Sequence, residues 1–388
     1  MTEDKSSSTH PPLPPTSEDQ RFLWLRLLRS RRVGPTTFHR MMKDHGDAAR
    51  ALEALPGIAA EAGVTDYRPC PEPVVRKELS LARDAGAQLL AIGSEHYPAQ
   101  LASLDDAPPL LWAVGDLRLA NAPSLAIVGA RNASSLGTRV AGDLAQELGS
   151  AGWCIVSGLA RGVDTAAHLA ALKTGTIAVQ AGGVDVLYPV QNAQLFENIG
   201  STGLRLSEDP MGMAPTARHF PKRNRIISGL SQATIVIEAA IKSGSLITAR
   251  AALDQGREVL AVPGHPFDAR AGGCNLLIRD GARLVRQARD VLDAVGSPDA
   301  AQPQLNLVHG KSPPQKKPTK DQPSRDLRAA AELHQVILDR LSPAPLPEDA
   351  LARAVPSGLG DLSEALTELE LQGRVARQAG GLLARSER

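Results

Sequence analysis

Four glycine- and serine-rich turns, each placed directly after an apolar run, are the segments of this sequence with the clearest potential for chemistry. They span residues 128–131, 157–164, 181–183 and 243–245. In a chain that alternates strands and helices, the turns after parallel strands open at one edge of the sheet, where helix N-termini and backbone N–H groups face outward. Because Arg131 and Arg161 lie in two of these turns, the pattern predicts a phosphate-binding edge.

A second cationic segment precedes the fourth turn. Residues 211–237 contain no Asp or Glu, whereas Arg218, Lys222, Arg223 and Arg225 lie close together. Internal salt bridges are the alternative role for this cluster, favoured most for Arg225 because an apolar pair follows it. Aromatic residues make up only 3% of the chain, so a groove built from many base-stacking side chains is not expected. The residues predicted to contact a polyanion are Gly129, Ala130, Arg131, Ser157, Gly158, Arg161, Gly162, Gly182, Gly183, Lys222, Arg223, Asn224, Ser243, Gly244 and Ser245.

Signatures of catalysis and of cofactor binding are weak in this sequence. Neither G-x-G-x-x-G nor G-x-x-x-x-G-K-[ST] occurs, and no His or Cys pair has metal-ligand spacing. No nucleotide cofactor and no metal are therefore predicted. His168, four residues after Asp164, is expected to join a local hydrogen-bond network rather than act as a base. Glu208 and Glu238 stand at strand ends and could act as acid and base, but the sequence does not place them together.

The pattern along the chain predicts five segments: a Ser/Pro-rich tail (residues 1–18), a helical domain (19–82), an α/β domain (83–297), a Pro/Lys-rich linker (298–325) and a C-terminal domain (326–388). The α/β domain is predicted to be a parallel, doubly wound sheet. Its eight predicted strands cover residues 88–92, 125–129, 154–157, 177–181, 204–207, 234–238, 258–263 and 283–285.

The two terminal domains are predicted to be small helical modules. The helix, glycine turn, helix units of the first resemble helix-hairpin-helix or SAM-like modules, which either contact DNA phosphates or serve as packing modules. Three helices and a hairpin around residues 380–381 indicate a winged helix at the C-terminus. Its third helix carries acids and no Lys or Arg, so it is expected to contact protein rather than to read duplex DNA. Those acids are Asp361, Glu364, Glu368 and Glu370.

From the composition of the chain, we expect a cytoplasmic protein. The chain has 388 residues with 43 basic and 42 acidic side chains, so net charge says little about partners. No apolar run is long enough for a membrane span or a secretory signal. Three widely separated cysteines predict buried, reduced thiols.

A series of short motifs runs from Tyr97 to Ala282. The motifs are Tyr97-Pro98, Pro108-Pro109-Leu110-Leu111, Gly115, the turn at 157–164 with Ala167-His168, Tyr188-Pro189, Ser207-Glu208, the segment 220–227, Glu238-Ala239, the segment 243–249, the segment 256–259, Val262-Pro263-Gly264, and the segment 275–278 with Gly281-Ala282. Together they closely resemble the DprA/Smf family of DNA-processing proteins. They occur in the family's order, and many members carry SAM-like and winged-helix domains at the same flanks.

The resemblance implies an extended Rossmann-like core in a bacterial protein that binds incoming single-stranded DNA during natural transformation, protects it and helps to load the recombinase RecA. It further implies a homodimer formed through the Rossmann-like domain, a RecA contact in that same domain, and no covalent chemistry. Arg131 matches a residue that contacts DNA in the family. A lysine that some members place after the Tyr-Pro turn has no counterpart, since Val190, Gln191 and Asn192 follow Pro189.

Two other classes of function stay open from the sequence. The first is a LOG-like nucleotide phosphoribohydrolase, in which a catalytic Glu follows a phosphate-binding turn; here Ala249 and Arg250 stand near that position. The second is a protein adaptor whose turns hold only structural water or ions. Release of free base from nucleoside monophosphates would identify the enzyme, and oligonucleotide binding at two salt concentrations would exclude the adaptor.

Overall fold

The computed structural model describes residues 14–298, 335–341, 346–347, 351, 365–366, 369, 374–378 and 382–385. The chain forms two compact units, Met1–Leu305 and Asn306–Arg388. Most of the predicted tail, nearly all of the predicted linker and the acids of the predicted third C-terminal helix lie outside the described residues. No helix in the described ranges is both long and apolar enough to cross a bilayer.

Four helices form the start of the first unit. They are α1 (Glu18–Arg29), α2 (Pro35–His45), α3 (Ala48–Glu61) and α4 (Glu72–Asp84). The helix α1 begins with a capping box, in which the Ser17 hydroxyl accepts from the Gln20 amide and the Gln20 side chain accepts from the Ser17 amide. Trp24 and Phe38 pack edge to face in the core of this bundle, with ring centroids 5.1 Å apart.

A nine-stranded sheet follows, with the strand order β1-β2-β6-β5-β4-β3-β7-β8-β9. The strands are β1 (Gln88–Ala91), β2 (Leu110–Gly115), β3 (Ser124–Gly129), β4 (Cys154–Ser157), β5 (Thr176–Val179), β6 (Leu204–Ser207), β7 (Ala233–Ile237), β8 (Glu258–Ala261) and β9 (Arg283–Leu284). All eight predicted strands are present.

The prediction of a wholly parallel sheet is wrong at one edge. The strand β2, which the sequence pattern missed, pairs antiparallel with both β1 and β6, while the strands from β6 to β9 are parallel. An antiparallel partner needs no crossover helix, so the chain arriving from the helical bundle can extend the sheet directly.

Helices cover both faces of the sheet. They are α5 (Ala99–Ala102), α6 (Ser135–Ser150), α7 (Val163–Ala171), α8 (Ala193–Thr202), α9 (His219–Leu230), α10 (Gly244–Asp254), α11 (Gly272–Arg279) and α12 (Ala288–Val295). Side chains alternate along β3, so that Leu125 and Ile127 pack under α6 and α7 while Ala126 and Val128 face the opposite layer with α9 and α10. The three cysteines are buried and free, as predicted.

A buried charged cluster joins the helical bundle to the sheet. The Arg29 guanidinium lies 2.7 Å from the Glu78 carboxylate, which also accepts a 2.7 Å hydrogen bond from the Trp112 indole on β2. Arg29 donates further to the backbone carbonyl of Glu208 at the end of β6. These contacts link the bundle to the sheet, together with the apolar core that the two share.

The second unit contains helical backbone over residues 335–340 and a three-stranded antiparallel sheet. The strands are β10 (Leu346–Pro347), β11 (Val375–Gln378) and β12 (Leu382–Arg385), in the order β10-β12-β11. Pairing of Gln378 with Leu382 confirms the predicted hairpin around residues 380–381. Its core includes Ile337, Leu341, Leu366, Leu369, Val375 and Leu383.

Candidate nucleic-acid interface

The four glycine- and serine-rich turns lie side by side at one edge of the sheet. They follow β5, β4, β3 and β7, which are consecutive neighbours in the strand order, so the turns span about 14 Å at a strand spacing of ~4.8 Å. The chain runs from β3 through β4 and β5 to β6, and then returns to place β7 on the other side of β3. Such a reversal leaves a crevice outside the strand ends, which is where ligands bind in open α/β sheets.

Two adjoining cavities form a groove along this crevice, with volumes of about 380 and 570 Å³. Both are lined by Arg131, Ala160, Phe220 and Arg223. The first extends over the second turn and the 188–191 segment, and the second over the first and fourth turns. The predicted contact residues that line the groove are Gly129, Ala130, Arg131, Gly158, Arg161, Arg223, Asn224, Ser243, Gly244 and Ser245.

Three backbone amides of the second turn are bonded inside the protein, which corrects the prediction that they face a ligand. The buried carboxylate of Asp164 accepts from the amides of Gly158 at 3.1 Å and Ala160 at 3.3 Å. The Leu159 amide donates to Nε2 of His168 at 3.3 Å. Burial raises the pKa of Asp164, while the nearby guanidinium of Arg223 and the two amides oppose that shift. The turn is therefore held from beneath, and these three amides are not available to a phosphate.

The predicted contacts of Ser157, Gly182 and Gly183 are also corrected, because all three are buried and none lines the groove. The Ser157 hydroxyl donates to the Ile127 carbonyl at 2.6 Å. The Gly182 amide donates to the Asp209 carboxylate, and the Gly183 amide to the Met213 carbonyl, both at 2.9 Å. These residues brace the edge of the sheet rather than contact a ligand.

Gly162 stands where two neighbouring turns touch. It has a φ of +78°, and a Cβ built on it would lie 2.2 Å from the Ala130 carbonyl oxygen. Any side chain would separate the second turn from the first. The role of this glycine is therefore close packing between turns, rather than contact with a ligand.

The helix α9 presents one face to the groove and the opposite face to a carboxylate cluster. Phe220, Arg223 and Asn224 follow helical spacing and line the groove. Lys222 lies on the other face, with its Nζ 3.3 Å from Glu208 and 3.6 Å from Asp209. Lys222 therefore pairs with the carboxylate cluster and lines neither cavity of the groove.

The prediction that Arg225 braces the structure is confirmed. Its guanidinium contacts the Glu208 carboxylate and donates to the Asp106 carbonyl at 2.8 Å. Arg223 combines both roles, since it is 4% exposed and donates to the Val179 carbonyl at 2.7 Å while it forms the floor of both cavities. Burial lowers the pKa of Arg223 to about 10, so it stays charged at neutral pH.

Two aromatic side chains form a wall of the groove, which the sequence analysis missed. The rings of Tyr188 and Phe220 lie 5.6 Å apart, and the Arg131 guanidinium lies over the Phe220 ring at 4.8 Å. Tyr188 is 45% exposed. The low aromatic content of the chain did not indicate this wall. Both aromatic residues directly precede a proline, Pro189 or Pro221, and this shared pattern is the sequence feature that could have identified them.

Cations other than those predicted also reach the groove. Lys242 and Arg270 line its second cavity, and Arg270 is paired with Asp268 at 3.1 Å. Arg131, Arg161 and Lys242 are exposed and form no ion pair within residues 14–298. Three unneutralised cations thus line one groove, which gives it a positive potential.

The two candidate acid and base residues are not brought together. Four strand spacings separate β6 from β7, which puts Glu208 and Glu238 about 19 Å apart. Glu208 is bound to Arg225, and Glu238 accepts from the Ser134 amide at 2.8 Å. His168 lies in a hydrogen-bond network, as predicted; burial lowers its pKa to about 3.

Three family models match this chain. The model for DNA recombination-mediator protein A matches residues 88–296, the DprA-like N-terminal HHH domain matches residues 18–80, and the DprA winged helix domain matches residues 318–381. The matches confirm the predicted arrangement of an α/β core between a helical domain and a winged helix.

Named relatives agree with these models. A DNA processing protein DprA of Bacillus subtilis is 44% identical over 57% of this chain and 75% of its own length. The X-ray structure of DNA processing protein A from Streptococcus pneumoniae is 36% identical, with a TM-score of 0.61 over 71% of this chain and 98% of that one. A Helicobacter pylori DNA processing protein A structure, described for its single-stranded DNA binding mode, is 31% identical, with a TM-score of 0.50 over 54% of this chain and 94% of that one.

Proposed function

We infer that the groove binds single-stranded DNA, on the premise that this chain belongs to the DprA/Smf family of DNA-processing proteins. A role in DNA processing follows from that membership. The observation that carries the finer proposal is the combination of Arg131, Arg161 and Lys242 with the aromatic wall of Tyr188 and Phe220 along one groove. Cations attract the phosphates and the rings attract the bases.

Side chains carry most of this binding, because five amides of the second and third turns are bonded within the protein. These are the amides of Gly158, Leu159, Ala160, Gly182 and Gly183. Each phosphate neutralised on a single strand contributes about 0.7 to the slope of log affinity against log salt. Stacking of a base on an aromatic ring contributes about 1–3 kcal/mol and tolerates any base. A groove of this kind therefore favours a strand of any sequence.

The aromatic wall favours single strands over duplexes. In a duplex the base faces are stacked on one another, so Phe220 and Tyr188 would have no free face to contact. A duplex would use only the cations, which bind without sequence information. The same aromatic wall favours this proposal over a protein adaptor whose turns hold only ions, because ion binding would not need aromatic rings.

We further propose that the protein protects the bound strand, helps to load RecA onto it and acts as a homodimer through the sheet domain. The family description of a recombination mediator supports this role. Exposed apolar side chains on the sheet domain, among them Ile241, Leu253 and Phe267, are available for protein contacts. Light scattering tests the dimer, and pull-down with purified RecA tests the recombinase contact.

No catalytic step is part of the proposal. Glu208 and Glu238 are engaged with Arg225 and Ser134 and stand far apart. Incubation with nucleoside monophosphates tests the phosphoribohydrolase alternative, since release of free base that is lost in Glu238→Gln would overturn the binding-only proposal.

Fluorescence anisotropy with a labelled oligothymidylate at several salt concentrations tests the groove. Arg131→Ala is expected to weaken binding about tenfold, as loss of a charge-assisted contact does, and to reduce the salt slope by about 0.7. Phe220→Leu is expected to weaken binding with the slope unchanged. Lys222→Ala is the matched control, because this cation lies on the opposite face of α9. Equal losses in Arg131→Ala and Lys222→Ala would contradict the proposed path.

A further inference from the structure

The first two helices of the helical bundle carry many cations and no acidic residue over a long stretch. Residues 20–43 contain no Asp or Glu. Two arginines of this stretch, Arg26 and Arg29, are paired with carboxylates of α4. Four other cations are exposed and form no ion pair within residues 14–298; together they form the basic surface of the bundle, which consists of Arg31, Arg32, Arg40 and Lys43.

The helix α2 gives the basic surface its position on the outside of the bundle. Arg40 and Lys43 are three residues apart and therefore lie on the same side of α2, while Phe38 on the opposite side is fully buried. Arg31 and Arg32 stand in the turn directly before α2. The cations therefore extend from this turn along the exposed side of the helix.

The backbone beneath the basic surface is held by contacts at both of its parts. The Tyr67 hydroxyl donates to the Arg31 carbonyl at 2.6 Å, and the Arg31 guanidinium lies over the Tyr67 ring at 5.6 Å. On α2, Nε2 of His39 lies 2.9 Å from the carbonyl oxygen of Ala107, which belongs to the sheet domain. The turn and the helix are thus fixed, and the cations start from a rigid support.

The basic surface offers charge but no exposed aromatic ring. The carboxylates nearest to it in the sequence, Asp44 and Asp66, pair with none of its four cations in the described part of the chain. The rings packed beneath α2 and its preceding turn are buried, with Trp24 4%, Phe38 0% and Tyr67 9% exposed. This surface therefore attracts a polyanion without a means of stacking bases, in contrast to the groove.

We propose that the basic surface is a second nucleic-acid contact and that its ligand is the phosphate backbone of double-stranded DNA. The helix α2 has 11 residues and is about 16 Å long at ~1.5 Å per residue. A duplex carries one charge per ~1.7 Å of its axis, so about ten phosphates lie within this length. A stiff duplex meets several cations together, whereas a flexible strand would have to be ordered for the same contacts without a ring for its bases. The proposal does not rest on the function proposed for the groove.

Fluorescence anisotropy with a labelled, blunt-ended duplex at several salt concentrations tests the proposal on the full chain. The triple variant Arg32→Ala, Arg40→Ala and Lys43→Ala is expected to weaken duplex binding at least about tenfold at low salt and to reduce the slope of log affinity against log salt by about 2.7, at ~0.9 per phosphate contact. The matched control removes the same charge from cations that are exposed but already paired with carboxylates, and it should bind the duplex as the unchanged protein does. This control is Arg76→Ala, Arg118→Ala and Arg286→Ala.

Three results would overturn the proposal: no duplex binding by the unchanged protein at about 50 mM salt, equal losses in the two triple variants, or a loss of duplex binding in Arg131→Ala as large as in the first triple variant. The last result would place the duplex in the groove. If the first triple variant does not fold, as judged by near-UV circular dichroism, Arg40→Gln decides by a slope reduction of about 0.9. An oligothymidylate titration of the unchanged protein separates the two proposals, since its failure removes single-strand binding in the groove and leaves the duplex comparison standing.

Discussion

His168 is predicted to make the stability of the sheet domain fall as the pH drops below neutral. The residue is fully buried beneath the second turn. Its Nε2 accepts from the Leu159 amide, so Nδ1 carries the proton and donates to the Thr176 hydroxyl at 2.7 Å. Both ring nitrogens are engaged in the neutral state, and a second proton would have no acceptor.

The magnitude follows from the lowered pKa. Burial, with the charge of Arg223 as the second cause, lowers the pKa of His168 from 6.5 to about 3. The unfolded chain therefore binds the extra proton first as the pH falls, and stability rises with pH. The contribution of neutral His168 to the free energy of unfolding is complete above pH 6.5 and is lost progressively as the pH falls toward 3. Between pH 7.5 and 5.0 the expected loss is about 2 kcal/mol, from ~1.36 kcal/mol per pH unit below the unfolded pKa.

Urea unfolding of the unchanged protein and of His168→Gln at these two pH values measures the effect. Glutamine keeps an acceptor for the Leu159 amide and does not titrate. The variant should start about 1 kcal/mol less stable because the Thr176 contact is lost, but it should lose about 2 kcal/mol less on acidification. Asp164 is present in both proteins, so its own titration cancels. The same acid-dependent loss in both proteins would refute the role of His168.

Two further perturbations test the packing that supports the groove. Gly162→Ala should lower the free energy of unfolding by more than about 2 kcal/mol, because the residue has a positive φ and a carbonyl oxygen lies 2.2 Å from the new Cβ. The control Gly142→Ala, in open space on α6, should raise the free energy of unfolding by about 0.5–1 kcal/mol. Urea midpoints of the two variants that move in the same direction would contradict this reasoning. Glu78→Ala should lower the free energy of unfolding by about 3–5 kcal/mol, since it leaves the buried Arg29 guanidinium unpaired. The control Glu72→Ala, at an exposed ion pair, should lower it by less than about 1 kcal/mol. Similar thermal shifts in both glutamate variants would show that the buried cluster does not hold the bundle to the sheet.

The sequence by itself determined the α/β core and the edge at which its turns meet. Apolar runs such as 125–129 and 154–157 are too short for helices, and a glycine ends the first and directly follows the second, so they predict strands whatever surrounds them. Parallel strands joined by crossover helices then have all their following turns at one edge. The common edge of the four turns could therefore be predicted without knowing any tertiary contact. The motifs in and around these turns indicated the family.

Only the tertiary structure decided which groups at that edge are free. Whether an amide in a glycine turn is free for a ligand depends on acceptors that lie far away in the sequence. The Gly182 amide, for example, donates to the carboxylate of Asp209, 27 residues away. The rotational phase of α9 against the sheet sends Arg223 to the groove and Lys222 to Glu208, although the two are adjacent in sequence. The strand β2 likewise exists through pairing with β6, some 90 residues later. Periodicity fixes what a segment can be, whereas long-range packing fixes what its polar atoms still have available.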